Sequence, residues 1–132
     1  MNTKLPKKKI VKLCRRHNIV LMILHGSHAR GRAHRSSDID VGILLAKKID
    51  SERYLGLLHD FGEIFGDGFD PVILNGAEPL ISYQVAIHGK PLYEQRKGAF
   101  ASFQVQAVSR YLDSKKFRDL EKIYIKRAVA AV

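Results

Sequence analysis

Ile10, Leu13, Cys14 and His17 recur at helical spacing within an otherwise basic stretch and predict a first helix over residues 3–17. Thr3 would cap it, and Pro6 suits its first turn. The pattern then turns continuous: Ile19–His25, IVLMILH, is a short apolar run of the kind that forms a buried strand, and it stops at Gly26-Ser27. After a basic stretch the rhythm becomes alternating. Ile39, Val41 and Ile43 face a core while Asp38 and Asp40 share the opposite face, so a second strand runs from about Asp38 and fades at Lys47. Ser51–Phe65 reads as an amphipathic helix with Leu55, Leu58, Phe61, Gly62 and Phe65 near one face. Gly66-Asp67-Gly68 is a turn, and a third strand is expected over residues 69–74. A helix over residues 78–88, capped around Asn75-Gly76, leads to a short extended edge piece at Lys90–Glu94. Residues 98–128 are helical again. Phe100, Phe103, Ala107, Val108, Tyr111 and Leu112 make one stripe, and Leu120, Ile123 and Tyr124 another; Asp113-Ser114-Lys115-Lys116 between them allows either two helices or one bent helix.

Strands and helices in this order give an α+β chain (α/β, two-layer), with a small mixed sheet followed by a C-terminal helical segment. At 132 residues it is read as a single domain, with residues 1–94 as the core and residues 95–132 as a helical extension. The hydrophobic share of 45% and charged share of 27% are those of an ordinary globular protein. One cysteine, Cys14, excludes an intramolecular disulfide, and no apolar run is long enough to span a bilayer, so a cytoplasmic chain is expected. The net charge of +10 calls for an anionic partner: a nucleoside triphosphate, a nucleic acid or an acidic protein. Nucleic acid is the less favoured, because no RNA-recognition, KH or zinc-finger pattern occurs and aromatic residues do not interleave with the basic ones.

Candidate chemistry gathers between His25 and Leu45. Two carboxylates on one strand face repel, by about 4 kcal/mol at ~4 Å and an effective dielectric near 20. Asp38 and Asp40 therefore ask for a cation, and Mg²⁺, which takes one or two carboxylates along with water and phosphate oxygens, is the natural one. Gly26 lets a phosphate approach the backbone, Ser27 is a good helix cap, and the free N–H groups beyond it attract anions. Arg30 adds charge and braces the turn. Asp70 at the start of the third strand would complete a three-acid cluster, with Asp67 as the neighbouring alternative. Pro71 beside it favours an edge strand. His25, His28 and His34 match no zinc spacing, and no GxxxxGK[ST] phosphate loop is present.

Gly26-Ser27, Ala29-Arg30-Gly31 and, with ten residues intervening after Ser27, Asp38-Ile39-Asp40 resemble the signature of the DNA polymerase β-type nucleotidyltransferases, and in particular of their minimal (MNT) branch. The resemblance extends through FDPVILN, PLISYQVAIHGKPLYE and the C-terminal helical region. It implies a polymerase β-like fold in which a third acid, here Asp70, serves the attacking hydroxyl.

Three acids facing a phosphate turn suit in-line displacement at phosphorus, with two metal ions on the attacking and leaving oxygens. Asp38 and Asp40 would hold both Mg²⁺ ions, Asp70 would share the ion next to the nucleophile, and Gly26 and Ser27 would hold the phosphates that leave as pyrophosphate. Larger relatives differ in carrying an additional domain for the acceptor, so this chain is expected to meet its acceptor on a second protein, with Phe100, Phe103, Tyr111, Leu120 and Tyr124 as candidates for docking. The resemblance further implies ATP as substrate, a tyrosine acceptor, and an antitoxin role toward an all-helical HEPN ribonuclease toxin. Nucleotidyl transfer to RNA or a small molecule, and neutralisation by contact alone, are the alternatives.

Overall fold

The computed structural model describes residues 5–29 and 38–131, apart from the side chains of Ser27 and His28. The elements are α1 (Lys7–Arg16), β1 (Ile19–His25), α2 (Gly26–Ala29), β2 (Ile39–Leu45), α3 (Ser51–Phe65), β3 (Phe69–Ile73), α4 (Pro79–His88), β4 (Lys90–Glu94) and α5 (Ala99–Ala130). One four-stranded sheet has the order β3-β2-β1-β4. β1 is antiparallel to both β2 and β4, whereas β2 and β3 are parallel. A parallel pair needs a crossover, and α3 supplies it. β3 lies at the sheet edge, where Pro71 removes no interior ladder bond.

The mixed sheet with its helices is the expected α+β fold. Its helices lie on both sides of the sheet, one layer more than the two expected. Ile10, Cys14, Met22, Val41, Ile43, Leu57 and Phe61 close one core between the sheet, α1 and α3. Leu21, Ile23, Leu74, Val85, Phe103 and Ala107 close a second between the sheet, α4 and α5. β1 feeds both because its side chains alternate, and a register shift between Ile19 and Leu21 lets Ile19 and Met22 fall on the same side.

Several boundaries differ from expectation. α1 begins at Lys7 with Pro6 as its N-cap; Thr3, the expected cap, lies outside the described residues. On α3 the buried line is Leu57, Phe61 and Phe65, and Leu55 is 64% exposed. Spacing of four selects that line, with Asp50 accepting the Arg53 N–H at 2.8 Å as cap. α4 is capped at Glu78 with Pro79 in its first turn, and Asn75 instead ties the sheet end: its side chain accepts the Leu45 N–H and donates to the Leu45 carbonyl, both at 2.8 Å. α5 runs unbroken through Asp113–Lys116. There the Ser114 hydroxyl donates to the Tyr111 carbonyl at 3.0 Å, and Arg118 donates to the Ser114 hydroxyl at 2.7 Å. Among the described residues, no helix is long and apolar enough to cross a membrane.

Candidate active site

β1 and β2 deliver the site. Their pairing sets His25 opposite Asp40, and the parallel β2–β3 pairing sets Asp40 opposite Asp70. Register partners point to the same face of a sheet, so His25, Asp40 and Asp70 form one row across three strands. This face also carries Leu21, Ile23 and Leu74, against which α4 and α5 pack. The row stands at the end of the sheet where β1 finishes and β2 and β3 begin. Asp70 is exposed and Asp40 half-buried.

Asp38 stands one residue before β2, not within it, and is exposed. The strand is pinned at Ile39, whose N–H donates to the Gly68 carbonyl at 2.7 Å. Asp67 lies in the turn that precedes β3, off the sheet.

Chain direction reverses at Gly26, with φ at +70°. A Cβ built on Gly26 would overlap the Asp40 carboxylate. Glycine is thus demanded twice, by its backbone conformation and by the acid that lies against it. The turn expected to hold phosphates is in contact with the central acid of the row. Ser27 follows in α2 with its side chain outside the description, and Arg30 lies outside the described residues altogether.

His25 was not anticipated as a site residue. Its Nε2 is buried with no hydrogen-bond partner among the described residues. Burial lowers its affinity for a proton, and the charge of Asp70 opposes that shift. A signal was present: the apolar run IVLMILH closes on a polar residue two positions after Ile23. Only the β1–β2 register, however, reveals what that residue faces.

Residues 8–98 match the family model described as Polymerase beta, Nucleotidyltransferase. The chain belongs to the polymerase β-type nucleotidyltransferases. Two curated relatives of this nucleotidyltransferase are both protein adenylyltransferases named MntA. That of Shewanella oneidensis is 31% identical over 109 residues, covering 81% of this chain and 78% of the relative. That of Aphanizomenon flos-aquae is also 31% identical, covering 77% and 73%. Among solved structures, a toxin–antitoxin crystallised with AMP-PNP is similar, with a TM-score of 0.76 and 28% identity over 92% of this chain and 99% of that one. A toxin–antitoxin complex of MntA and HepT gives a TM-score of 0.71 at 25% identity, over 94% and 99%.

Among the described residues of the nucleotidyltransferase, no three His, Cys, Asp or Glu side chains form a ready metal cage. The donor chemistry nevertheless suits a hard cation. Asp40 and Asp70 are register partners on adjacent strands, and Mg²⁺ takes one or two carboxylates and completes its shell with water and phosphate oxygens. A separate hollow of about 500 Å³, lined by residues that include Leu45, Tyr54, Ile73 and Asn75, opens at the other end of β2 and is not part of this site.

Proposed function

We propose that this nucleotidyltransferase transfers AMP from ATP to a hydroxyl, a tyrosine, of a partner HEPN-family toxin and thereby acts as its antitoxin in the cytoplasm. The observation that carries the reading is the register of Asp40 against Asp70 beside Gly26. Two carboxylates side by side repel, and phosphoryl chemistry on a divalent cation is what such a pair suits. Relatives named protein adenylyltransferase, and a similar toxin–antitoxin structure holding an ATP analogue, support the same substrate and partner.

In this reading Asp38, Asp40 and Asp70 would hold two Mg²⁺ ions. When bound, Mg²⁺ neutralises the triphosphate and makes the acceptor hydroxyl more acidic. The backbone at Gly26 and Ser27 holds the β- and γ-phosphates, and Arg30 contributes positive charge to their binding. Asp70, exposed and outermost in the row, takes the hydrogen bond of the incoming hydroxyl and directs its oxygen toward the α-phosphorus. A new O–P bond forms as the bond from the α-phosphorus to the leaving oxygen breaks, and pyrophosphate departs. Residues 1–94 supply this core. Residues 95–132 extend it, although Ala99, Phe103 and Ala107 bind the first half of α5 into the same core.

The test uses ATP labelled at the α-phosphate, Mg²⁺ and the product of the neighbouring gene. Label reaches the partner with the native chain and not with Asp38→Asn/Asp40→Asn. Toxin neutralised equally by that double variant, with no label moved, overturns catalysis in favour of contact alone. Label found on RNA or a small molecule in place of the partner overturns the acceptor.

A further inference from the structure

α5 is 32 residues long, about 48 Å at 1.5 Å per residue, yet its buried residues are confined to its first half. Ala99, Phe103 and Ala107 hold it to the sheet, and Glu94 fixes its start by accepting the Phe100 N–H at 2.9 Å. The last joint to α4 is the stack of Tyr83 on Tyr111, ring centres 4.1 Å apart, with the Arg118 guanidinium 5.1 Å from the Tyr111 ring centre. Beyond it no described residue of α5 is buried.

That second half is not an ordinary solvated helix. Phe117, Leu120, Ile123 and Tyr124 are all about half or more exposed, with Phe117 at 71%. Their spacing of three, four and seven puts them on one stripe. At 100° per residue this stripe is turned about a quarter of a circle from the line of Ala99, Phe103 and Ala107. It is therefore not a continuation of the core-facing surface, and no described residue of this chain buries it. Apolar side chains gathered on one line and left in water mark a surface for another molecule.

We infer that this stripe seats an apolar helix of the partner protein, with acidic residues flanking its apolar line. The inference rests on the proposed function for the partner's identity. A helix is the complement because anchors at these spacings interdigitate with another helix. Acidic flanks follow from the charge balance of this half of α5, where Lys115, Lys116, Arg118, Lys122, Lys126 and Arg127 outnumber Asp113, Asp119 and Glu121. The same charges argue against a second copy of this chain, which would bring +10 against +10. Of the residues expected to dock, Leu120 and Tyr124 are free to do so, while Phe103 is buried and Phe100 and Tyr111 are half-buried.

The experiment uses the full chain carrying Leu120→Glu and Tyr124→Glu, with Lys126→Glu on another face of α5 as a control, and a HEPN-family toxin that the native chain binds. Calorimetry should show partner affinity reduced by at least about a hundredfold in the double variant and far less in the control. Thermal melting and binding of Mg²⁺–AMP-PNP should stay at native levels. Native partner affinity in the double variant overturns the inference. So does a native chain that forms a homodimer which the double variant abolishes. If the native chain binds the partner through the stripe but transfers no AMP, the proposed activity fails and the docking face stands.

Discussion

Asp40 and Asp70 are register partners on adjacent parallel strands, and the backbone of Gly26 lies against the first of them. Neutralising Asp70 should separate chemistry from stability. Asp40→Asn and Asp70→Asn should each lower AMP transfer roughly a thousandfold, about 4 kcal/mol at 1.36 kcal/mol per decade. Asp70→Asn should melt no lower than the native protein, because a like-charge contact is relieved. Transfer assays and melting curves on the same samples check both halves. An Asp70→Asn variant that is both inactive and clearly less stable would argue that the row is structural.

Gly26→Ala faces two penalties, the left-handed backbone conformation and overlap with the Asp40 carboxylate. The first alone costs on the order of 1 kcal/mol, and the second displaces an acid of the site. We expect a loss of about 1–3 kcal/mol in chemical denaturation together with loss of transfer. Gly66→Ala, also at positive φ but with open space around it, should lower stability and leave transfer intact.

Part of this site could be read from the chain alone. Gly26, Ser27 and the pair Asp38/Asp40 are local in sequence, and β1, β4 and α3 have the expected ends because apolar runs, Gly turns and the Asp50 cap mark them. The row itself could not be read. That His25 faces Asp40 depends on the β1–β2 register, and that Asp70 joins them depends on a parallel pairing across a helix. At Asp113–Lys116 the sequence left one helix or two open, because polar residues in sequence resemble a break; the structure has one. In the structure they occupy solvent-facing positions of one helix, braced by Ser114 and Arg118. Leu55 drew the wrong line on α3 because apolar residues occur on more than one of its sides, and only packing against the sheet selects Leu57.

The α3 assignment is directly measurable. Leu57→Ala should cost about 2–5 kcal/mol by opening a cavity beside Phe61, and Leu55→Ala less than about 0.5 kcal/mol. Urea titration of the two variants distinguishes them. Equal losses would mean that α3 is rotated from the position described.

His25 and Asp60 give the fold two separate acid-sensitive arms. His25 has its proton affinity lowered by burial from an ordinary pKa of 6.5, so the unfolded chain binds a proton first as pH falls. Stability is therefore full above about pH 6.5 and declines as pH falls below it. Asp60 is held below its ordinary 3.8 chiefly by the hydrogen bond from His17, at 2.8 Å, so its contribution is present above that value and lost below it. His25→Phe should flatten the upper arm of a melting-temperature profile and leave the lower one. An unchanged upper arm would exclude His25 as its source.

Cys14 is fully buried, and burial pushes its thiol up to about 12. A thiolate-dependent reagent should leave it untouched in the native protein and label it at the rate of unfolding. Labelling that follows thiol chemistry in native buffer, without dependence on denaturant, would contradict that burial.

The parallel pairing of β2 with β3 also constrains when the enzyme comes into being. Its two central acids are thirty positions apart and meet only after α3 has crossed the sheet, so the nascent chain leaves the ribosome with the phosphate turn present and the row incomplete. A truncated or stalled product ending before Phe69 would carry the family signature and no working centre. Catalytic competence is thus a late readout of synthesis, available only to a chain that has already laid β3 alongside β2.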